Sequence, residues 1–62
     1  MNSFRKDRAA KAPRYDVLRD DSVVGEIHRE NGRWFVRDEG GVLQGVAYSL
    51  GEAKGIAELR LG

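Results

Sequence analysis

Apolar and polar residues alternate along the middle of the chain, which predicts β-strands. Four runs show this alternation, the last one weakly: residues 15–19, 23–30, 33–38 and 42–48. Between the second and third runs, Asn31-Gly32 is a preferred pair for a two-residue type I′ hairpin, because both residues must accept positive φ. A second turn cluster, residues 20–22, separates the first two runs. Gly25, inside the second run, predicts a bulge or a close backbone approach.

The period of the apolar residues changes after residue 48. Ser49 and Glu52 fit a capping box. In this motif the Ser49 hydroxyl oxygen accepts a hydrogen bond from the Glu52 amide, and the Glu52 carboxylate accepts one from the Ser49 amide. Apolar residues then recur at three- and four-residue steps, as on one side of a helix. They are Leu50, Ala53, Ile56, Ala57 and Leu61. Because this stripe is narrow and rich in small residues, we expect the helix to lie across the sheet.

The sequence therefore predicts an α+β fold: a three- to four-stranded antiparallel sheet with one C-terminal helix packed on one face and a disordered basic N-terminal arm. Residues 1–13 lack a period that would bury a face, and Pro13 disfavours helix at Ala12. We interpret this segment as a flexible arm. Residues 14–62 form a single small domain.

The net charge of +1 conceals a separation of charge along the chain. Residues 1–14 carry five basic side chains and one acidic one, whereas residues 15–62 carry six basic and nine acidic ones. A basic arm before an acidic body suggests a contact of the arm with nucleic acid or an acidic partner. A terminus that only improves solubility is the alternative.

A sheet with one helix leaves its other face in solvent. We expect the helix to cover the richer apolar set: Tyr15, Val17, Val23, Ile27, Trp34 and Val36. The opposite face then carries large apolar residues rimmed by basic ones, and it is the predicted protein-binding face: Leu18, Val24, His28, Arg33, Phe35 and Arg37. Such patches often mark interfaces, although scattered apolar surface residues are also normal. A register slip of one residue would exchange the positions of Trp34 and Phe35.

The sequence contains few residues that favour catalysis or cofactor binding. His28 is the only histidine and there is no cysteine, which excludes disulfides and zinc sites built on His and Cys. We predict no catalytic residue, metal, cofactor or small-molecule substrate. No apolar run approaches the ~20 residues of a membrane span, and the N-terminus has no apolar signal core. We therefore expect a cytoplasmic protein.

Basic and aromatic residues interleave around the central hairpin, as on sheets that bind nucleic acid through phosphate contacts and base stacking. The candidates for such contacts are Arg5, Lys6, Arg8, Lys11, Arg14, Arg29, Arg33, Trp34 and Arg37. The acidic charge of the body opposes this function, because Asp16, Glu26 and Glu30 would share or border the same surface.

Residues 27–59 resemble the three-stranded-sheet-plus-helix DNA-binding domain of phage integrases and plant ethylene-response transcription factors. The matching features are Gly32-Arg33-Trp34, Val36-Arg37-Asp38, and Gly45 leading through Ser49 to Glu52-Ala53. The resemblance implies that the exposed sheet enters the major groove, with four contacts to DNA: Arg29, Arg33, Trp34 and Arg37. This would place Trp34 outward, against the hydrophobic pattern. The run at residues 15–19 and the acidic charge depart from the family.

Two functions remain as predictions. The preferred one is a small non-catalytic protein-binding module, such as a regulator, inhibitor or homodimer of the kind that phages and mobile elements encode, acting through the exposed sheet face. The alternative is a DNA- or RNA-binding accessory protein that uses the basic arm and the sheet arginines.

Overall fold

The computed structural model describes residues 2–61. They form five strands and one helix: β1 (Asn2–Lys6), β2 (Arg14–Arg19), β3 (Ser22–Glu30), β4 (Arg33–Asp38), β5 (Leu43–Ala47) and α1 (Leu50–Leu61). The strands pair antiparallel in the order β1-β2-β3-β4-β5. Helix α1 packs on β3, β4 and β5. The architecture is α+β as predicted, with five strands instead of three or four. We call the face under α1 the helix side and the opposite face the outer face.

The additional strand, β1, lies in the segment predicted to be a flexible arm. Its residues pair with β2, from Asn2 opposite Arg19 to Lys6 opposite Tyr15. Residues 7–13 form the connecting loop rather than a free terminus. Met1, the first residue of the predicted arm, lies outside the described residues. The hydrophobic pattern missed β1 because backbone hydrogen bonds, rather than a run of apolar side chains, hold this strand in the sheet.

Two tight turns join the central strands. Asn31 and Gly32 have φ values of 53° and 75°, which confirms the predicted type I′ geometry. Asp20 and Asp21 also have positive φ, 50° and 67°, in the two-residue connection between β2 and β3. Aspartate tolerates this region better than most residues do, because its short side chain hydrogen-bonds locally.

A bulge between β2 and β3 decides which face the valines of β3 occupy. Val17 pairs with Gly25, but Leu18 pairs with Val23, so Val24 is an extra residue in β3. The bulge predicted near Gly25 is thereby confirmed. It places Val23 and Val24 on the faces opposite to those predicted for them. Val24 packs against the core on the helix side. Val23, paired with Leu18 on the outer face, is 44% exposed.

Two glycines let the helix approach the sheet closely. A Cβ at Gly25 would overlap the Arg37 carbonyl oxygen and would lie 2.6 Å from Leu61 Cδ1. A Cβ at Gly45 would lie 2.8 Å from Ile56 Cγ2. Side chains at these positions would push α1 away from β3 and β5, so both strands need glycine where the helix crosses them.

The core lies between the sheet and α1. Six residues are at most 2% exposed and form its centre: Val17, Ile27, Val36, Ala47, Ala53 and Ala57. Seven partly buried residues surround them: Phe4, Tyr15, Val24, Trp34, Leu50, Ile56 and Leu61. Trp34 therefore lies on the helix side, as the hydrophobic pattern predicted. The outward position that the resemblance implied for Trp34 is wrong.

Ser49 caps the start of α1. Its hydroxyl oxygen accepts the Glu52 amide at 3.2 Å, as predicted. The Glu52 carboxylate accepts a hydrogen bond from the Ser49 hydroxyl at 3.3 Å, where the sequence predicted a bond from the Ser49 amide. The cap fixes where the helix begins and so places Lys54 one turn later on the β1–β2 side of α1.

Candidate binding surfaces

The outer face carries an exposed apolar area where β4 and β5 pair. Val46 lies opposite Phe35, and Leu43 lies opposite Arg37. Val46 is 43% exposed and Leu43 45% exposed. The His28 ring stacks on Phe35 with 5.4 Å between centroids. We call Phe35, Leu43 and Val46 the apolar corner; it occupies one half of a face that no other described element covers.

Two arginines border the apolar corner. The Arg33 guanidinium lies 5.8 Å from the centroid of the Tyr48 ring, a cation–π contact at the start of β4. Arg37 Nη1 donates to the Gly41 carbonyl at 3.1 Å near the other end of the strand. Within residues 2–61, neither arginine has a carboxylate within 4.0 Å. The rim of the corner is therefore mixed in charge, because Glu30 and Glu26 lie opposite these two arginines on the same face of the sheet.

The other half of the outer face is occupied by an ion-pair network around Arg14. Arg14 Nε donates to Glu26 at 2.8 Å, and Nη1 donates to Asp16 at 2.9 Å and to Asp7 at 3.2 Å. Arg5 joins through Asp16 at 3.1 Å. Partial burial lowers the pKa of Arg14, but the hydrogen bond to Glu26 and the nearby carboxylate charges outweigh it and raise the pKa overall. Arg14 thus keeps its charge, and the network of two arginines and three carboxylates leaves this half with an excess of one negative charge.

The strand β5 forms one edge of the sheet and carries no charged side chain. The opposite edge, β1, ends in Arg5 and Lys6. The pair that flanks a two-residue turn is hydrogen-bonded, and bonded and non-bonded pairs alternate from there. Glu30 and Arg33 are the bonded pair at the turn. Counting from this pair along β4, Phe35 and Val46 form a non-bonded pair, so the N–H and C=O of Val46 point away from β4. Such unpaired edge groups are a template for another strand.

The predicted protein-binding face is assembled only in part. His28, Arg33, Phe35 and Arg37 do share the outer face, through direct cross-strand pairing. Val24 is on the helix side because of the bulge, and this prediction is wrong.

Three further residues on that face differ from the prediction. Leu18 is on the outer face but only 9% exposed, so it contributes little surface. Leu43 and Val46 were missed. The weak alternation of residues 42–48 was the only signal for them, and it could not set their register against β4.

The structure divides the predicted nucleic-acid residues among separate places. Arg5 and Arg14 are engaged in ion pairs on the outer face. Arg33 and Arg37 border the apolar corner. The remaining five lie elsewhere: Arg29 pairs with Trp34 on the helix side, and Lys6, Arg8 and Lys11 lie at or beside the β1–β2 loop. One sheet surface holding all these residues does not exist in this fold.

Neither a metal-binding cluster nor a membrane-spanning helix appears in the described part of the chain. Residues 2–61 contain no group of three His, Cys, Asp or Glu side chains placed to hold a metal ion. They contain no helix that is both long and apolar enough to span a bilayer. No family model, curated protein or solved structure matches the chain.

Proposed function

We propose that the chain is a non-catalytic protein-binding module that pairs with a second copy of itself through β5 and the adjoining apolar corner. One observation carries this proposal. An uncharged edge strand with unpaired backbone groups lies beside exposed apolar side chains, in a chain of which 34% of the residues are charged. Proteins usually protect such edges with charges, prolines or a covering element.

The chemistry of the two edges favours a second copy at β5 rather than at β1. In an antiparallel pair related by a two-fold axis, each strand meets its own sequence reversed. A pair of β5 strands centred on Val46 places two valines opposite each other and Gln44 opposite Tyr48, with no charge at the axis. A pair of β1 strands would place four cations, Arg5 and Lys6 of each chain, along one short interface, and charged residues on an edge strand oppose strand addition.

The affinity of such a pair should be modest. Strand addition supplies main-chain hydrogen bonds, but five residues of edge give an interface below the roughly 1,200 Å² of a stable complex. The side chains of Tyr48 and Val46 add contacts between the two chains. We therefore expect a dimer whose population depends strongly on concentration.

Sedimentation equilibrium over a concentration range tests the proposal. The wild-type mass should rise from 6.9 kDa toward twice that value as concentration increases. Val46→Lys places a charge at the centre of the pairing edge, and this variant should stay monomeric. Leu59→Lys is the matched control: Leu59 is 80% exposed on α1, away from β5, and its substitution should leave dimerisation unchanged. A wild-type chain that remains at 6.9 kDa at millimolar concentration would rule out self-pairing.

A further inference from the structure

Three aromatic rings lie on the helix side where α1 does not cover the sheet. Phe4, Tyr15 and Trp34 are partly buried at the margin of the core. The Tyr15 and Trp34 rings are in tilted contact, with 6.2 Å between centroids. Because α1 packs on β3, β4 and β5, these rings keep part of their surface in solvent beside the helix.

Three cations lie among these rings. Lys54 Nζ, from α1, is 5.3 Å from the Phe4 centroid and 5.8 Å from the Tyr15 centroid. Lys6 pairs with Tyr15 across the β1–β2 ladder, and Arg29 pairs with Trp34 across the β3–β4 ladder. Directly paired residues project from the same face. We call these six residues the basic aromatic strip: Phe4, Lys6, Tyr15, Arg29, Trp34 and Lys54.

Carboxylates are kept away from the strip. Within residues 2–61, Lys6, Arg29 and Lys54 have no carboxylate within 4.0 Å. Asp7, which follows β1, and Asp16, within β2, are held by the Arg14 network on the opposite face. The strip is therefore basic although residues 15–62 are acidic as a whole.

The antiparallel topology also separates charge along the strands. The loop of residues 7–13 and the turn at residues 31–32 lie at one end of the sheet, and the turns at residues 20–21 and 39–42 lie at the other. The first end adds Arg8 and Lys11, which with Asp7 line an open hollow of about 370 Å³ in the loop beside Lys6. It also holds Glu30, next to the turn, so its cations outnumber its acids. The second end carries four acids: Asp20, Asp21, Asp38 and Glu39. A polyanion is attracted to the first end, where the strip lies, and repelled from the second.

We infer that the basic aromatic strip binds single-stranded nucleic acid. Lys6, Arg29 and Lys54 contact phosphates, and bases stack on the exposed parts of Tyr15 and Trp34. Stacking on aromatic side chains needs unpaired bases, which a duplex does not offer. This surface shares no residue with β5 or the apolar corner, so nucleic-acid binding can be tested independently of self-pairing.

Trp34 is the only tryptophan in the chain, so its fluorescence reports on the strip directly. Titration with an oligothymidylate of about 15 nucleotides, longer than most single-strand sites per small domain, should quench Trp34 to saturation. The affinity should fall as salt rises. With three phosphate contacts, the slope of log K against log salt should be about −2, since each contact on a single strand contributes about −0.7.

Two double variants, each lacking two positive charges, test where the nucleic acid binds. Lys6→Gln/Arg29→Gln should lower affinity at least tenfold and bring the salt slope to about −0.7, because one of three contacts remains. Arg33→Gln/Arg37→Gln removes two cations from the outer face and should change neither the affinity nor the salt slope. The monomeric variant Val46→Lys should bind as the wild type does. Circular dichroism checks that all variants remain folded.

Several results would overturn the inference. Absence of quenching at low salt would exclude stacking on Trp34. Equal losses in the two double variants would show only attraction to net charge. Tighter binding of a duplex with the same sequence would exclude the single-stranded ligand.

Discussion

The two halves of the sheet are held in different ways. The β4–β5 half is fixed from the helix side, where α1 covers Ala47 and Ile56 lies directly over Gly45. Within residues 2–61, its outer face has no ion pair. The β1–β2 half lies mostly beyond the helix. It is fixed on the outer face by the network around Arg14. On the helix side it is held by Val17 and Phe4, which pack into the core, and by a hydrogen bond from Asn2 Nδ2 to the Ala57 carbonyl at 3.3 Å.

This difference shows how a chain of 62 residues stabilises a sheet wider than its only helix. Such a chain buries only about 60% of its unfolded surface, so apolar packing is concentrated under α1, and charge pairs add to the packing of Val17 and Phe4 in the strands beyond it. Each half then leaves a different surface free. The helix-covered half has an apolar outer corner, and the ion-paired half has a basic aromatic helix side.

Gly45→Ala should have the largest effect on this arrangement. The added methyl lies 2.8 Å from Ile56 Cγ2, so α1 must shift away from β5 or Ile56 must leave its position. Overpacking of this kind costs about 1–3 kcal/mol, measured by urea unfolding. Gly55→Ala is the control, because its methyl would meet no other side chain or strand of residues 2–61 within 4 Å. Unchanged stability in Gly45→Ala would mean that β5 does not depend on close contact with the helix.

Arg14→Met should weaken the other half by about 1 kcal/mol. Arg14 is one-third exposed, so solvent screens its pairs and the loss stays near the upper end of the range for surface ion pairs. The difference from wild type should shrink in about 1 M salt, where the Debye length is near 3 Å. Arg37→Met, with no carboxylate partner within residues 2–61, should cost less. Equal losses in both variants would contradict a role for the network.

Gly55→Ala should stabilise the chain by up to about 1 kcal/mol, because alanine is the better helix former and its methyl meets open space. Hydrogen exchange can show which half of the sheet gains stability. Amides of α1 and β5 should exchange more slowly, while those of β1 should change less, since α1 packs on β5 and not on most of β1. Equal protection of both edges would show that the halves open together.

Asp21→Gly should give the smallest gain, about 0.5 kcal/mol. Asp21 has a φ of 67°, which costs a non-glycine residue energy, and Asp-Gly is a preferred type I′ pair. The Asn31-Gly32 turn already has this chemistry, so Gly32→Ala should instead destabilise the fold. Thermal unfolding of both variants compares the two turns. A loss of stability in Asp21→Gly would show that the Asp21 side chain is needed in the turn.

Phe35 and the polar surroundings of the apolar corner could be predicted from the sequence. Phe35, His28 and the two arginines on its rim follow from period-two alternation on either side of an Asn-Gly turn that sets the register of β3 and β4. Leu43 and Val46 could not be assigned, because the β4–β5 pairing has its own irregularity between Val36 and Arg37. One residue of slip moves a side chain to the opposite face.

The sequence by itself determined the features that depend on neighbouring residues: the strand period, the Asn31-Gly32 turn, the Ser49 cap and the apolar stripe of α1. Only the tertiary structure decided the rest. It placed Val24 inside, made a strand of residues 2–6 and separated the cations into paired and unpaired sets. These outcomes depend on contacts between residues far apart in the chain, such as Arg5 with Asp16 and Asn2 with Ala57, and a local pattern of hydrophobicity does not contain them.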